Sequence, residues 1–263
     1  MLNFNHNLGM NMTLLVPIYY DQLGSSNDQA RTLARAGAAS GTLVIARTQT
    51  QGRGRQGRQW QSPQGNFYGS LIWRSSKPPN QQATIALVTG IAVNDSVVRY
   101  LPITSQHYLT LKWPNDLHYN RHKLAGILVE TETSPHEPLT AIIIGIGVNL
   151  SEAPHDLPYP ATSINSIIGT APTLTEFTEQ IGQRLIQRLE KWERHGFAAL
   201  ADDWNLRAAG YQGRAMVAIP PNPAEGGTFH GVGPDGALLL NSNGSLRSHY
   251  SGEWRFSDGY QLL

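Results

Sequence analysis

An α+β fold is expected for this chain: a mixed sheet carrying helices, followed by a small β-barrel. Three observations predict it. The apolar runs TLVIA (42–46), FYGSLIW (67–73), KLAGILVETE (123–132) and AIIIGIGVNL (141–150) read as strands. A long amphipathic stripe spans 173–195, and past Tyr211 the chain breaks into short strands separated by turn residues.

Taken in order, the Asn-rich first dozen residues show no periodicity, so residues 1–19 are expected to form a poorly ordered leader before a main domain at 20–208. Ser25, Ser26 and Asn27 then precede a helix in which Ala30, Leu33 and Ala34 recur and which Gly37 stops; Ser26 with Gln29 suits a capping box. After the strand at 42–46 comes the loop GRGRQGRQW (52–60), and Pro63 with Gly65 marks a turn into the strand at 67–73. Ile85, Val88, Ile91, Ala92 and Val98 predict a buried helix within 84–101. A strand at 110–113 is ended by Pro114, leaving Asn115 and Asp116 at its exit, and Lys123 opens the next one. In the long helix Phe177, Ile181, Leu185, Leu189 and Trp192 make one stripe, Thr173 with Glu176 reads as a capping box, and Gly196 follows its end. A short helix at 197–207 carries Trp204. The strands RAMVAIP, GTFHGV, ALLL and SLRSHYSGEW, with the turn Pro234-Asp235-Gly236, make a final domain at 209–263.

Gly52, Gly54 and Gly57 satisfy the G-x-G-x-x-G dinucleotide fingerprint, but neither the helix nor the acid that the fingerprint requires follows them. No Asp or Glu occurs between Asp28 and Asp95, while Arg31, Arg35, Arg47, Arg53, Arg55, Arg58, Arg74 and Lys77 do. Such a stretch attracts polyphosphate and holds no acid to bind a ribose. Arginines alternating with glycines put planar donor forks on a backbone able to approach closely. Lys112 is a charge in an apolar strand, expensive unless it faces an anion. Gly126, in the next strand, leaves room for a close-packed ligand, and Gly145 and Gly147 interrupt the apolar run that Asn149 follows. Of only four lysines, against sixteen arginines, two fall in these motifs.

The motifs GRGRQGRQW, KWPNDL (112–117) and KLAGILVE (123–130), in this order and spacing, resemble those of the biotin–protein ligases over about residues 20–255. The resemblance implies a largely antiparallel catalytic sheet like that of class II tRNA synthetases and an SH3-like C-terminal barrel. It further implies ATP-dependent formation of biotinyl-5'-AMP and transfer of biotin to a lysine of a biotin carboxyl carrier domain of a carboxylase. By the same resemblance, Ser25, Ser26, Asn27, Gln49, Gly52, Arg53, Gly54, Arg55, Lys123, Gly126, Gly145 and Gly147 surround biotin. Arg55, Gly57, Arg58, Trp60, Lys112, Asn115, Asp116 and Asn149 border the nucleotide. Lys123, Arg55 and Lys112 stabilise reacting charge, and the Mg2+ that accompanies ATP lies near Asp116, whether touched by it or not. The Arg-Gly loop closes over the ligands. Gly252 and Glu253 match a C-terminal segment that contacts the catalytic domain, with Arg255 displaced from the usual pattern. Homodimerisation through the sheet edge is common among such relatives.

The composition bounds the alternatives. No cysteine means no disulfide, thiolate metal site or cysteine nucleophile. A net charge of +1 and the absence of interleaved aromatics speak against a nucleic-acid-binding module. No apolar run is long enough to cross a membrane and no signal segment is recognisable, so a cytoplasmic enzyme is expected. About twenty residues before the first motif are too few for a DNA-binding repressor domain. A lipoate or octanoate ligase or transferase of the same fold is the nearest rival, but that group lacks the GRGRxGRxW loop. His118 and His122 straddle a turn and are not expected to hold a metal.

Overall fold

The structure is a computed structural model describing residues 13–133, 139–208, 211–218, 226–252 and 254–257. Val16–Leu23 (β1) lies parallel to Thr42–Gln49 (β2), with Ser26–Arg35 (α1) making the crossover. Phe67–Ser75 (β3) follows, then the short Pro79–Gln82 (α2) and the buried Ile85–Val97 (α3). Leu109–Lys112 (β4), Asp116–Tyr119 (β5), His122–Glu132 (β6) and Thr140–Val148 (β7) complete a seven-stranded sheet of order β1-β2-β3-β7-β6-β5-β4. Every neighbouring pair after the first is antiparallel.

Continuous apolar runs are needed because both faces of the central strands are covered. Leu43, Ile45, Leu71, Ile142 and Ile144 pack on the side of the larger core, whereas Val44, Ile72, Ala141 and Ile143 pack with Ala30 and Ala34 of α1. After Ile164–Ile168 (α4), the larger core is closed by Leu174–His195 (α5), whose buried stripe of Phe177, Ile181, Leu185, Leu189 and Trp192 meets α3. Thr173 and Glu176 form the expected reciprocal capping box. Ala201–Arg207 (α6) is tied to α3 and α5 through Asp95, whose carboxylate receives Arg188 at 2.6 Å and Arg207 at 2.5 Å.

The C-terminal strands Ala215–Ala218 (β8), Gly226–Val232 (β9), Leu238–Ser242 (β10), Ser245–His249 (β11) and Trp254–Phe256 (β12) form a separate antiparallel sheet of order β11-β10-β9-β8-β12. It has the small SH3-like character expected. Phe229, Leu238, Leu240, Trp254 and Phe256 join Trp204 and Leu200 in the larger core, so the two sheets share apolar packing.

Two expectations need correction. Residues 16–19, assigned to a leader, begin β1, and Leu15 packs into the space above Gly182 of α5, where a Cβ would approach it to 2.1 Å. Helix α1 begins at Ser26 with Ser25 as its N-cap and no side-chain capping bond, so the Ser26–Gln29 box does not form. The end of RAMVAIP and Glu253 of the Gly-Glu pair lie outside the described residues.

Candidate active site

The middle strands of the sheet carry glycines where other residues would fill a cleft. Cβ atoms at Gly126 and Gly147 would come within 2.8 and 2.5 Å of the Trp60 ring, and one at Gly145 within 2.2 Å of Asn27 Oδ1. These three positions on β6 and β7 make a floor whose missing side chains leave room for the Trp60 indole and the Asn27 carboxamide. Above it is a cavity of about 130 Å³.

Its neutral end is built from α1, β2 and β3. Ser26 N–H donates to Gln49 Oε1 at 2.7 Å, which ties the start of the helix to β2. The Ser70 hydroxyl, fully buried in β3, donates to Asn27 Oδ1 at 2.6 Å and lies 2.8 Å from the Ser26 hydroxyl. Sequence reasoning did not single out Ser70; its one signal is a small polar residue inside the run FYGSLIW.

The other end is cationic. Lys123 Nζ sits 2.8 Å from Asp116 Oδ1 and 5.5 and 5.4 Å from the rings of Trp60 and Tyr159. Buried Lys112 donates to the Trp254 carbonyl at 3.2 Å, across to the second sheet. Arg55 donates to Asn115 Oδ1 at 3.2 Å, and Asn115 in turn donates to the Ile127 carbonyl at 2.8 Å. Burial by itself would raise the Asp116 carboxyl, but the ammonium groups of Lys123 and Lys112 outweigh it and hold the group below its ordinary range. Burial, reinforced by Lys112, pushes His118 down to about 3, so its imidazole is neutral while Nδ1 meets the Tyr211 hydroxyl at 2.9 Å. Among the described residues, the Lys112 and Lys123 ammonium groups and the Arg55 guanidinium border this end beside Asp116, and donors of this kind suit an anionic ligand.

Most residues singled out in the sequence meet here. Ser25, Ser26, Asn27, Gln49, Arg53, Gly54, Arg55, Arg58, Trp60, Lys112, Asn115, Asp116, Lys123, Gly126, Gly145 and Gly147 all line the cleft. Three do not. Gly52 is pressed under the Trp60 carbonyl, where a Cβ would come within 2.4 Å, and it closes the loop by accepting from Trp60 N–H at 2.9 Å. Gly57 has a φ of +73° at a turn, a conformation suited to glycine. Asn149 lines a smaller adjoining cavity with Trp60, Lys123 and Tyr159; its amide donates to the Thr162 carbonyl at 3.0 Å and its buried Oδ1 has no hydrogen-bond partner.

Arg53 differs from expectation in another way. Its guanidinium is engaged by acids, at 2.6 Å from Asp28 and 2.9 Å from Glu130. The acid-free stretch is thus partly neutralised by β6, which also supplies Glu132 to Arg31 and Arg35. The cleft residues Tyr159 and Trp254 were not anticipated, because a long loop and the far sheet bring them in. No group of three or more His, Cys, Asp or Glu able to hold a metal exists among the described residues, and Asp116 is the carboxylate lining the cleft.

Residues 23–149 match the model of the Biotin/lipoate A/B protein ligase family. The biotin–[acetyl-CoA-carboxylase] ligase of Paracoccus denitrificans is 34% identical over 221 residues, covering 82% of this chain and 90% of that protein. The bifunctional ligase/repressor BirA of Bacillus subtilis is 33% identical over 90% of this chain and 72% of its own length. An arginine-to-glycine mutant of the Aquifex aeolicus biotin protein ligase, in complex with biotin, shares 25% identity and superposes with a TM-score of 0.73 over 90% of this chain and 96% of that one. The complex of that ligase with biotin and ATP shows the same likeness of fold, with a TM-score of 0.73 at 24% identity over 92% of this chain and 99% of that one.

Proposed function

The chain belongs to the biotin–protein ligases of the biotin/lipoate A/B protein ligase family, and from that premise we infer how its cleft makes and uses biotinyl-5'-AMP. The enzyme is an ATP-dependent biotin–protein ligase. A carboxylate oxygen of biotin attacks the α-phosphorus of ATP, the bond to the β-phosphate breaks, and pyrophosphate leaves. The neutral amine of an acceptor lysine then attacks the acyl carbon, the bond to the AMP oxygen breaks, and the nitrogen sheds a proton.

The observation that carries this reading is a single cleft that runs from a neutral, glycine-floored end to a cationic one. A small apolar bicycle fits the first, where few polar groups fix its orientation. The carboxylate and triphosphate fit the second. We assign Ser25, Ser26, Asn27 and Gln49 to biotin, and Lys123, Lys112 and Arg55 to charge that develops at the carboxylate and α-phosphate. Asn115 orients Arg55, and Trp60 walls the join. Mg2+ enters as part of MgATP. It would offset phosphate charge beside Asp116, whose carboxylate is already paired to Lys123.

The acceptor in this proposal is the biotin carboxyl carrier domain of a carboxylase, supported by the acetyl-CoA-carboxylase named for the Paracoccus relative. Homodimerisation through β1 is supported by that strand's place at the end of the sheet order. A cytoplasmic site of action agrees with no helix among the described residues being long and apolar enough to cross a membrane. We keep 20–208 and 209–263 as functional units, extending the first back to β1.

Calorimetry with biotin and with lipoate, with and without MgATP, tests the reading. Biotin should bind, lipoate should not, and biotin with MgATP should release pyrophosphate. Lipoate-dependent pyrophosphate release at a comparable rate would overturn the assignment.

A further inference from the structure

We propose that Glu130 is a positioning residue through which the glycine-arginine loop, by way of Arg53, fixes the Asn27 carboxamide that faces biotin. The inference rests on the ligase reading above and concerns a residue outside the cleft lining.

Glu130 projects from β6 toward the start of α1. Its Oε2 accepts from Asn27 Nδ2 at 2.8 Å and from Arg53 Nη2 at 2.9 Å. Its Oε1 accepts from Arg53 Nη1 at 3.1 Å and pairs with Arg31 Nη2 at 2.9 Å. Asn27 is therefore gripped at both ends. Ser70 donates to its oxygen at 2.6 Å, and Gly145 leaves no room for a Cβ beneath it.

An ionised carboxylate only accepts hydrogen bonds, so it tolerates the nitrogen end of the amide and rejects the oxygen end. Burial raises the Glu130 carboxyl, but the Asn27 hydrogen bond and the Arg53 and Arg31 charges more than offset this and keep it ionised. The polarity that Asn27 shows to a ligand is consequently set from behind. Arg53 supplies two of the four contacts to that carboxylate, and Arg53 stands on the loop that borders the cleft. Docking of the loop and orientation of the ligand-facing amide thus share one acid. Asp28, at 2.6 Å from Arg53, completes the latch from α1 itself.

Three variants test this, each read by the affinity for biotin and by its preference over 2-iminobiotin, which differs only at the ureido group. Glu130→Gln keeps shape but lets the amide pair flip, and should weaken biotin binding about 10-fold and flatten the preference. Arg53→Met, on a partly exposed loop, should act in the same direction. The double variant should be no worse than the weaker-binding single, because both changes act through one path. Melting curves confirm folding, and Arg53→Met alone decides the matter should Glu130→Gln not fold. Wild-type binding of biotin with affinity and preference unmoved by either change overturns the proposal alone, as does simple additivity. Failure of the wild type to bind biotin overturns the ligase reading and this inference with it.

Discussion

Lys123 shows how one side chain can be both held and available. Its ammonium is paired with Asp116 at 2.8 Å yet borders the cleft beside Trp60 and Tyr159, so in the proposed reaction an arriving carboxylate meets a charge already in place. We expect Lys123→Ala to abolish most pyrophosphate exchange while preserving the fold. Lys191→Ala, on the long helix away from the cleft, should be nearly silent; equal losses in an exchange assay would show the site to be misplaced. Arg55, anchored through Asn115, lines the end of the cleft that the proposed reaction gives to the nucleotide. Arg55→Ala should cost about 1.5–3 kcal/mol in retention of the adenylate, read as faster escape of biotinyl-AMP in a filter-binding chase. The scarcity of lysine and the apolar strand around Lys112 made these cations legible in the sequence. Arg53 lines the cleft, but its pairing with Glu130, 77 positions away, was not legible, because no local pattern reveals such a partner. Ser70 was hidden by strand-forming neighbours whose burial it shares.

At the level of elements, the glycines of β6 and β7 trade side chains for contact with Trp60 and Asn27. Gly147→Ala would drive a methyl to 2.5 Å from the indole, and overpacking of this kind costs about 1–3 kcal/mol. The strand should survive by displacing Trp60. Biotin binding should fall about 10-fold or more as Trp60 leaves its place on the cleft wall, and the melting temperature should drop by several degrees for the packing cost; calorimetry beside a thermal melt reads both. The strands at 42–46, 67–73, 123–132 and 141–150 were legible because burial on both faces leaves unbroken apolar runs, and α5 because its stripe and capping box agree. Strand β1 was not, since its exposed and half-buried positions, VPIYYDQL, carry the weak signal of a sheet edge. The absence of a capping bond at Ser26 was likewise unreadable, because that residue's backbone and hydroxyl are taken up by Gln49 and Ser70.

Across the whole molecule, the second sheet is fastened to the first beside the reacting groups. Tyr211 meets His118, the Gly236 carbonyl accepts from Trp113 Nε1 at 3.1 Å, and the Trp254 carbonyl accepts from Lys112. The barrel was legible from its turns, but its contribution to the cleft was not, since a backbone carbonyl leaves no trace in residue identity. A pH dependence follows. His118 lies at about 3 in the folded chain, depressed from an ordinary 6.5 by burial and by Lys112, with Lys123 and His122 adding to it and Asp116 opposing. Between those values the unfolded chain takes up a proton that the folded one refuses, so stability falls as pH drops below about 6.5, by up to about 1.4 kcal/mol per pH unit. Urea unfolding from pH 7 to 4.5 should show that decline, and His118→Gln should flatten it; an unchanged slope would place the titration elsewhere.

The bond from Lys112 to the Trp254 carbonyl spans 142 positions of sequence. A ribosome elongating this chain adds the glycine floor long before residue 254, so on the reading proposed above the nascent protein has, for an interval, the biotin end without the carbonyl that holds Lys112 at the MgATP end. Products of premature termination share that condition. They would sequester vitamin without generating a reactive acyl phosphate, and so could not acylate bystander amines. A chain stopped at residue 250 should therefore still bind biotin in calorimetry, yet release no pyrophosphate when MgATP is added.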